Sequence, residues 1–273
     1  MSAKPRRWLP ILAGLAAALQ ALPAQAQFRA VPDDEWCRKD GSGDEERYCE
    51  VREAVLPAAA RISVDAEPNG GIEVEGTDRS DIRVSAKVSA GARTEAEARA
   101  LASEVRIETS PTIRAEGPST SRREHWSVSF RLEVPRRSAL SLRSHNGGIS
   151  IAHVNGEIEF ETTNGGVSLS GLSGQVKGRT TNGGLSVRLA GTEWSGEGLD
   201  AQTTNGGVTL AVPAGYNAHL EASTVNGGMQ IEFPVTVQGD IRRRLSVDLG
   251  RGGRPIQVGT TNGGVVVRRS AAR

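Results

Sequence analysis

The stretch TTNGGVSL at residues 162–169 recurs as TTNGGLSV at 180–187, TTNGGVTL at 203–210 and TTNGGVVV at 260–267. Looser copies of the Asn-Gly-Gly turn begin at Asn69, Asn146 and Asn226. From Asn146 onward, successive asparagines are 18, 18, 23, 21 and 36 residues apart, and the last step is twice the first. Such a period is the signature of a repeat architecture. We expect seven rungs between Leu140 and Val267.

The residues that follow each asparagine alternate between apolar and polar types. After Asn164, Val167 and Leu169 are apolar and Ser168 between them is polar, and the other copies keep this phase. Period-two alternation is typical of a strand with one buried and one exposed face. We expect the small polar positions to form an outward column that serves as a candidate binding face: Ser150, Ser168, Ser186 and Thr209.

Two arrangements use short strands of this kind: antiparallel hairpins, which favour Asn-Gly turns, and a parallel solenoid. The near-identity of the copies favours the solenoid, because equivalent residues then stack from rung to rung. Stacked asparagines can form a hydrogen-bonded ladder, and the glycines can form a sharp corner. The sequence predicts an all-β solenoid of about 18 residues per turn. The predicted ladder of turn asparagines is Asn146, Asn164, Asn182, Asn205, Asn226 and Asn262.

Residues 1–26 have the features of a secretory signal peptide. A basic start is followed by an apolar stretch from Trp8 to Leu22 and by the small-x-small site Ala24-Gln25-Ala26. The apolar stretch is shorter than the roughly 20 residues that a spanning helix needs, so we expect no membrane span after cleavage. The predicted location is periplasmic or secreted, outside a bacterial cytoplasm.

Cys37 and Cys49 are the two cysteines of the chain. Disulfides persist in oxidising compartments, so the pair is predicted to be bonded in an exported protein. There is no Cys-x-x-Cys, and the four histidines show no metal-ligand spacing relative to the cysteines. We therefore expect no metal or other cofactor. Residues 27–60 are assigned to a disulfide-bearing N-terminal segment.

Residues 61–137 are predicted to form irregular rungs and a cap that covers one open end of the solenoid. The sequence Thr94-Glu95-Ala96-Glu97 is a capping box, so a short helix is expected to begin there. We expect residues 138–269 to form the regular solenoid and residues 270–273 to form a tail. Charged residues at an open edge discourage pairing with other chains. We expect that role for the basic residues beyond the last strand: Arg268, Arg269 and Arg273.

The chain resembles the putative-adhesin family of bacterial envelope proteins with β-strand repeats. The resemblance lies in the recurring Thr-Thr-Asn-Gly-Gly-Val-x-Leu unit and in Val134-Pro135, which leads through Leu140 into the first regular rung. It covers roughly residues 61–269. It implies a right-handed single-stranded parallel β-helix, an extracytoplasmic location and an adhesin-like role.

Composition and motifs favour binding over catalysis. The formal net charge is +1, so nothing indicates a nucleic-acid partner. Gly-x-Ser-x-Gly is absent, and Glu157, Glu159 and Glu161 fit a solvated strand face better than a catalytic cluster. The sequence predicts a non-catalytic, adhesin-like envelope protein that contacts an unidentified envelope protein or glycan. An envelope-stress or scaffolding protein and a polysaccharide-active β-helix enzyme are the alternatives.

Two further repeat functions fit less well. Calcium-binding repeats place an Asp in every turn, and the Asn-Gly-Gly turns here have none after the glycines. An ice- or crystal-binding array needs a flat lattice of two threonine columns. The outward threonines form one column: Thr163, Thr181, Thr204 and Thr261.

Overall fold

The structure is a computed structural model that describes residues 27–32, 35–38, 46–121, 123–233 and 242–270. The predicted signal peptide and residues 271–273 lie outside the described residues. The described chain is almost entirely β-structure, with two short helices, α1 (Glu35–Arg38) and α2 (Glu95–Glu104). The strands are β1 (Arg29–Val31), β2 (Glu46–Leu56), β3 (Arg61–Asp65), β4 (Ile72–Thr77), β5 (Ile82–Ala92), β6 (Arg106–Glu108), β7 (Ile113–Glu116), β8 (His125–Pro135), β9 (Ala139–Asn146), β10 (Ile149–Ala152), β11 (Asn155–Asn164), β12 (Val167–Ser170), β13 (Ser173–Asn182), β14 (Leu185–Arg188), β15 (Gly198–Asn205), β16 (Val208–Val212), β17 (Ala218–Asn226), β18 (Met229–Ile231), β19 (Arg244–Leu249), β20 (Pro255–Asn262) and β21 (Val265–Arg269).

The strands form two sheets. The first sheet has 11 strands in the order β1-β2-β5-β8-β4-β10-β12-β14-β16-β21-β18. The second has 10 strands in the order β19-β17-β20-β15-β13-β11-β9-β3-β7-β6. Each Asn-Gly-Gly turn joins a strand of the second sheet to a strand of the first, as β11 joins β12, and we call such a strand pair a rung. From β9 to β16 every strand is parallel to its neighbours in the sheet.

Equivalent residues of neighbouring rungs lie opposite each other. In the first sheet, Val167 pairs with Ile149 on one side and with Leu185 on the other. All three side chains are at most 2% exposed, whereas Ser168 between the apolar positions is exposed. The apolar residues of both sheets belong to one core that runs the length of the solenoid. The alternation read from the sequence thus corresponds to an inner and an outer face.

The rungs do not stack in sequence order. The last strands of the chain, β20 and β21, lie between the rung of β15 and β16 and the rung of β17 and β18. Ile256 accordingly pairs with Leu199 on one side and with Leu220 on the other. The described strands between Leu140 and Val267 form six rungs, so the expectation of seven is wrong.

The 36-residue step between Asn226 and Asn262 does not contain two turns of solenoid. Its described part includes β19, which runs antiparallel to β17 at the outer edge of the second sheet. The chain then returns to insert β20 beside β17. A seventh Asn-Gly-Gly turn does join the stack, but it is the one at Asn69, which lies next to Asn146. An insertion of this length has the same sequence spacing as two turns, so the period alone gave the wrong count.

Arg268 and Arg269 lie within β21 and do not cover an end of the solenoid. Because β21 is inserted between β16 and β18, Arg269 lies opposite Val212 inside the first sheet. The expected role of Arg268 and Arg269 beyond the last rung is therefore wrong, and Arg273 lies outside the described residues. Of the described strands, β18 and β19 are outermost at this end.

Antiparallel strands and helix α2 cover the N-terminal end of the solenoid. Strands β2, β5 and β8 extend the first sheet in antiparallel pairs, and α2 packs against β2 and β5. Thr94 caps α2 by accepting a hydrogen bond from the backbone N–H of Glu97 over 3.2 Å. At the other end of the helix, the Arg52 guanidinium donates to the carbonyl oxygens of Ala102 and Val105.

Candidate functional site

The turn asparagines form a continuous ladder of side-chain hydrogen bonds. Each side-chain amide donates to the Oδ1 atom of the preceding asparagine in the stack, over 2.7–2.9 Å. The spatial order of the ladder is Asn69, Asn146, Asn164, Asn182, Asn205, Asn262 and Asn226. A side-chain amide donates and accepts at once, whereas an ionised aspartate only accepts. This explains why asparagine suits every turn.

The residue two positions before each asparagine faces the core and satisfies a backbone carbonyl. Thr180 is 1% exposed, and its hydroxyl donates to the carbonyl oxygen of Gly165 in the neighbouring rung over 2.8 Å. A buried carbonyl without a partner destabilises the fold, so a hydroxyl is favoured at this inward position. The same bond is made by Ser144, Thr162, Thr203, Thr224 and Thr260.

The two glycines of each turn have different surroundings. A Cβ atom at Gly183 would collide with the carbonyl oxygen of Gly165, and the first glycines of the other turns meet the same close approach. A Cβ atom at Gly184 would lie 3.6 Å from the carbonyl oxygen of Gly207, which is an ordinary van der Waals contact. Stacking therefore requires the first glycine, while the second leaves the outer surface without side chains.

The second glycines form the floor of a groove on the outer face of the first sheet, which we call the serine groove. Its lining includes Gly71, Gly148, Gly166 and Gly184, together with Ser150 and Ser168. The floor is backbone and the adjacent side chains are short. A flat partner can therefore approach the sheet along several rungs.

The predicted binding column is a continuous row of cross-strand neighbours: Ser150, Ser168, Ser186 and Thr209. Ser168 and Ser186 are exposed, and the other two are half-buried. Glu73 extends the row at one end and Val266 extends it at the other. The small polar character is thus confined to the four central rungs of the groove face.

Trp36 of α1 lies at one end of the serine groove. The centre of its indole lies 4.4 Å from the guanidinium carbon of Arg131 and 5.3 Å from the ammonium nitrogen of Lys87. Cationic groups at these distances are attracted to the face of an indole ring. Arg131 also donates to the Glu73 carboxylate over 2.9 Å, which orients the guanidinium beside the groove. No pattern in the sequence indicated that Trp36 would contact the repeat surface.

The disulfide between Cys37 and Cys49 joins α1 to β2. Cys37 directly follows Trp36, so the bond fixes the short helix that holds the indole. A four-residue helix has little stability of its own, and a covalent link to a strand of the first sheet compensates for that.

The outer face of the second sheet carries charges of alternating sign. Glu161 lies opposite Arg143 on one side and Arg179 on the other, and the Arg179 guanidinium is 2.7 Å from its carboxylate. In the next column Glu159 lies opposite Lys177. Stacked like charges would destabilise a parallel sheet, and alternation avoids that cost. Glu157 lies opposite Gln175 and is paired with Arg61, so the acids on β11 form no acidic cluster across rungs.

Two histidines have acidic partners. His153 has a backbone φ of 56°, and its Nδ1 atom is 2.7 Å from the Glu75 carboxylate. The Nδ1 atom of His219 is 2.7 Å from Asp248, and the hydrogen bond to Asp248 raises the pKa of His219 above its ordinary value. The hydroxyl of Ser246 lies 3.4 Å from the Nε2 atom of His219. Sequence motifs could not reveal this cluster, because its members come from two strands that pair only in the fold.

Nothing in the described ranges indicates a metal centre or a membrane-spanning helix. No group of three or more His, Cys, Asp or Glu residues there is arranged to hold a metal ion. No helix in the same ranges is long and apolar enough to cross a membrane.

The stacked turns and the open groove define an all-β, two-sheet solenoid with a long accessible face. The chain belongs to the Toastrack DUF4097 family, whose model matches residues 132–268, half of its length. None of the curated proteins compared with the chain matches it.

Several solved structures are similar to this chain at low identity. A putative cell adhesion protein from Clostridium sporogenes matches 81% of this chain and 100% of its own, with 11% identity and a TM-score of 0.41. A putative lipid binding protein from Parabacteroides distasonis matches 84% of this chain and 98% of its own, with 10% identity and a TM-score of 0.30. A putative adhesin from Bacteroides fragilis matches 82% of this chain and 97% of its own, with 9% identity and a TM-score of 0.30.

Proposed function

We propose that the protein is an exported, adhesin-like envelope protein that binds an envelope protein or glycan on the outer face of its first sheet, without catalysis at that face. The observation that carries this proposal is the serine groove, which is open and floored by backbone from Gly71 to Gly184. Solenoid proteins use such extended surfaces for recognition. The four small side chains of the adjacent column keep the surface flat and offer hydroxyl groups to a polar partner.

Trp36 strengthens the proposal, because an indole at the end of a polar groove supplies apolar contact area. Aromatic residues are enriched where proteins bind their partners, since they bury a large surface with little loss of conformational freedom. Arg131 and Lys87 add positive charge around the ring. A partner that carries hydroxyl groups and some negative charge, such as an acidic glycan, matches this combination.

The proposal includes a periplasmic or secreted location. The signal-peptide pattern of residues 1–26 and the disulfide between Cys37 and Cys49 support it, because disulfides persist outside the cytoplasm. We also propose a right-handed coil of about 18 residues per turn, with the Asn-Gly-Gly turn as its recurring unit. The pairing of Val167 with Leu185 and of Asn164 with Asn182 supports that period.

The experiment that tests the function replaces Ser168 and Ser186 together with arginine. Both residues are exposed, so the double variant should keep its circular dichroism and melting temperature. Binding to purified envelope glycans and to an envelope-protein extract should fall at least about tenfold, because bulk and charge now obstruct the groove.

The matched control replaces Thr163 and Thr181 with arginine. These residues precede the same two turns but lie on the outer face of the second sheet, opposite the serine groove. The control should bind as the unmodified protein does. If both double variants bound the glycans and the envelope-protein extract equally well, a role for the serine groove would be contradicted.

A further inference from the structure

The outer edge of the second sheet brings together side chains that are far apart in the sequence. Strands β17 and β19 pair antiparallel, with His219 opposite Asp248 and Glu221 opposite Ser246. All four side chains lie on the outer face of this strand pair, where His219 and Ser246 are diagonal neighbours. Such neighbours are close enough for long side chains to interact.

The three central side chains have the connectivity of a nucleophile, a base and an orienting acid. The Nδ1 atom of His219 is 2.7 Å from Oδ1 of Asp248, and its Nε2 atom is 3.4 Å from Oγ of Ser246. The carboxylate at Nδ1 favours the tautomer with a proton on that atom, which leaves Nε2 free to accept the serine proton. We propose that Ser246, His219 and Asp248 form a site for acyl transfer that cleaves short-chain carboxylic esters of polar alcohols.

The surroundings of Ser246 favour small polar substrates. The polar residues that line a cleft beside the serine are Arg244, Gln257, Gln202, Ser223 and Glu221. Arg244 and Gln257 carry N–H donors that suit the oxygen of a polarised carbonyl. The apolar residues of these strands point into the core, as Leu245 does at 1% exposure, so the cleft offers no pocket for a long acyl chain.

The proposed reaction balances without a cofactor. The Ser246 oxygen forms a bond to the acyl carbon while its proton moves to Nε2 of His219, and the bond from the acyl carbon to the alcohol oxygen breaks. The alcohol leaves with the proton held by His219. Water then attacks the acyl-serine and gives one proton to His219. The bond between the acyl carbon and the Ser246 oxygen breaks, His219 returns the proton to that oxygen, and the carboxylic acid leaves.

Glu221 competes with Ser246 for the same ring nitrogen. Its carboxylate lies 3.5 Å from Nε2 of His219, so the protonated ring donates to Glu221 and the neutral ring accepts from Ser246. Asp248 on β19 also contacts the ring. On β20, the side-chain amide of Gln257 donates a hydrogen bond to Glu221. The backbone N–H of His219 donates to the carbonyl oxygen of Arg254. The carboxylates hold the pKa of His219 above its ordinary value, so the reactive neutral form accumulates only as the pH rises past that raised pKa.

The site is independent of the serine groove, because it lies on the other sheet. Linear catalytic motifs could not reveal it, since Ser246 and His219 are 27 residues apart. The prediction that the chain is not an enzyme was based on the absence of such motifs and of an acidic cluster.

A fluorophosphonate probe tests the nucleophile directly. The serine oxygen displaces fluoride from phosphorus while His219 takes the proton, and peptide mass spectrometry locates the adduct. We expect labelling at Ser246, none at that position in Ser246→Ala, and a rate about 100-fold lower in His219→Gln. The control Ser141→Ala, on β9 of the same sheet and away from the cleft, should label at the normal rate. An unlabelled protein, or a label placed elsewhere and kept by Ser246→Ala, would overturn the proposal.

The pH profile tests the positioning role of Asp248. Labelling and the hydrolysis of p-nitrophenyl acetate should both rise with pH through one midpoint above 6.5, the ordinary pKa of histidine. Asp248→Asn should move that midpoint downward and slow the reaction, because the amide no longer stabilises the imidazolium. A midpoint unchanged by Asp248→Asn would overturn the assignment. All these residues are exposed or half-buried, so circular dichroism and melting of each variant should match the unmodified protein.

Discussion

The side-chain amide of Asn262 donates to Oδ1 of Asn205 over 2.7 Å, although 57 residues separate the two. Asn226, which comes earlier in the chain, donates to Asn262 from the other side over 2.8 Å. The last rung of the chain thus lies inside the ladder, between the rungs of Asn205 and Asn226. Strands β17 and β18 reach the rest of the solenoid through β20 and β21, which are formed from the end of the chain.

The inserted rung predicts a severe effect of C-terminal truncation. Removal of residues 255–273 would separate β15 from β17 and expose apolar residues on both sides of the gap. We expect the truncated chain to lose cooperative melting and to aggregate, because unpaired strand edges and core residues become accessible. A control that removes only residues 271–273 should melt normally. A cooperative transition in the shorter chain would contradict the inserted position of β20 and β21.

The inner and outer faces of β12 predict opposite effects of one substitution at adjacent positions. Val167 is 2% exposed, so Val167→Asp places a charge inside the core and should destabilise the protein by about 4 kcal/mol or more. Ser168 is exposed, and Ser168→Asp should change stability by no more than about 0.5 kcal/mol. Urea unfolding followed by circular dichroism measures both values. Similar midpoints for the two variants would contradict the register of β12.

The repeat made the rung itself predictable, since alternation around Asn164 gave the buried and exposed positions and the Thr94 capping box gave helix α2. The order of the rungs was not predictable in the same way. Ile256 pairs with Leu199, but the repeated strands are nearly identical. The residues of a single sequence therefore do not indicate which two of these strands become neighbours. The location of Trp36 and the cluster around His219 depend on long-range pairing, so neither could be found from local patterns.

The two glycines of one turn predict different tolerances for alanine. Gly183→Ala should destabilise the protein by about 3 kcal/mol, because the added Cβ atom meets a backbone carbonyl that can move only if the neighbouring rung moves with it. Gly184→Ala adds an ordinary contact at 3.6 Å and should stay within about 1 kcal/mol of the unmodified protein. Thermal melting of the two variants provides the comparison. Equal tolerance of both alanines would show that the rungs do not stack through the first glycine.

The two threonines before Asn182 predict a last contrast, in which only the hydroxyl is removed. Thr180→Val keeps the shape of a 1% exposed side chain but deprives the Gly165 carbonyl of its 2.8 Å hydrogen bond. A buried carbonyl that loses its partner costs about 1–3 kcal/mol, and we expect a loss of stability in that range. Thr181→Val makes the same change at an exposed position and should stay within about 0.5 kcal/mol. Because the two substitutions are chemically identical, the difference between their unfolding free energies isolates the inward hydrogen bond. If Thr181→Val were the more destabilising of the two, the assignment of Thr180 to the inner face would be wrong.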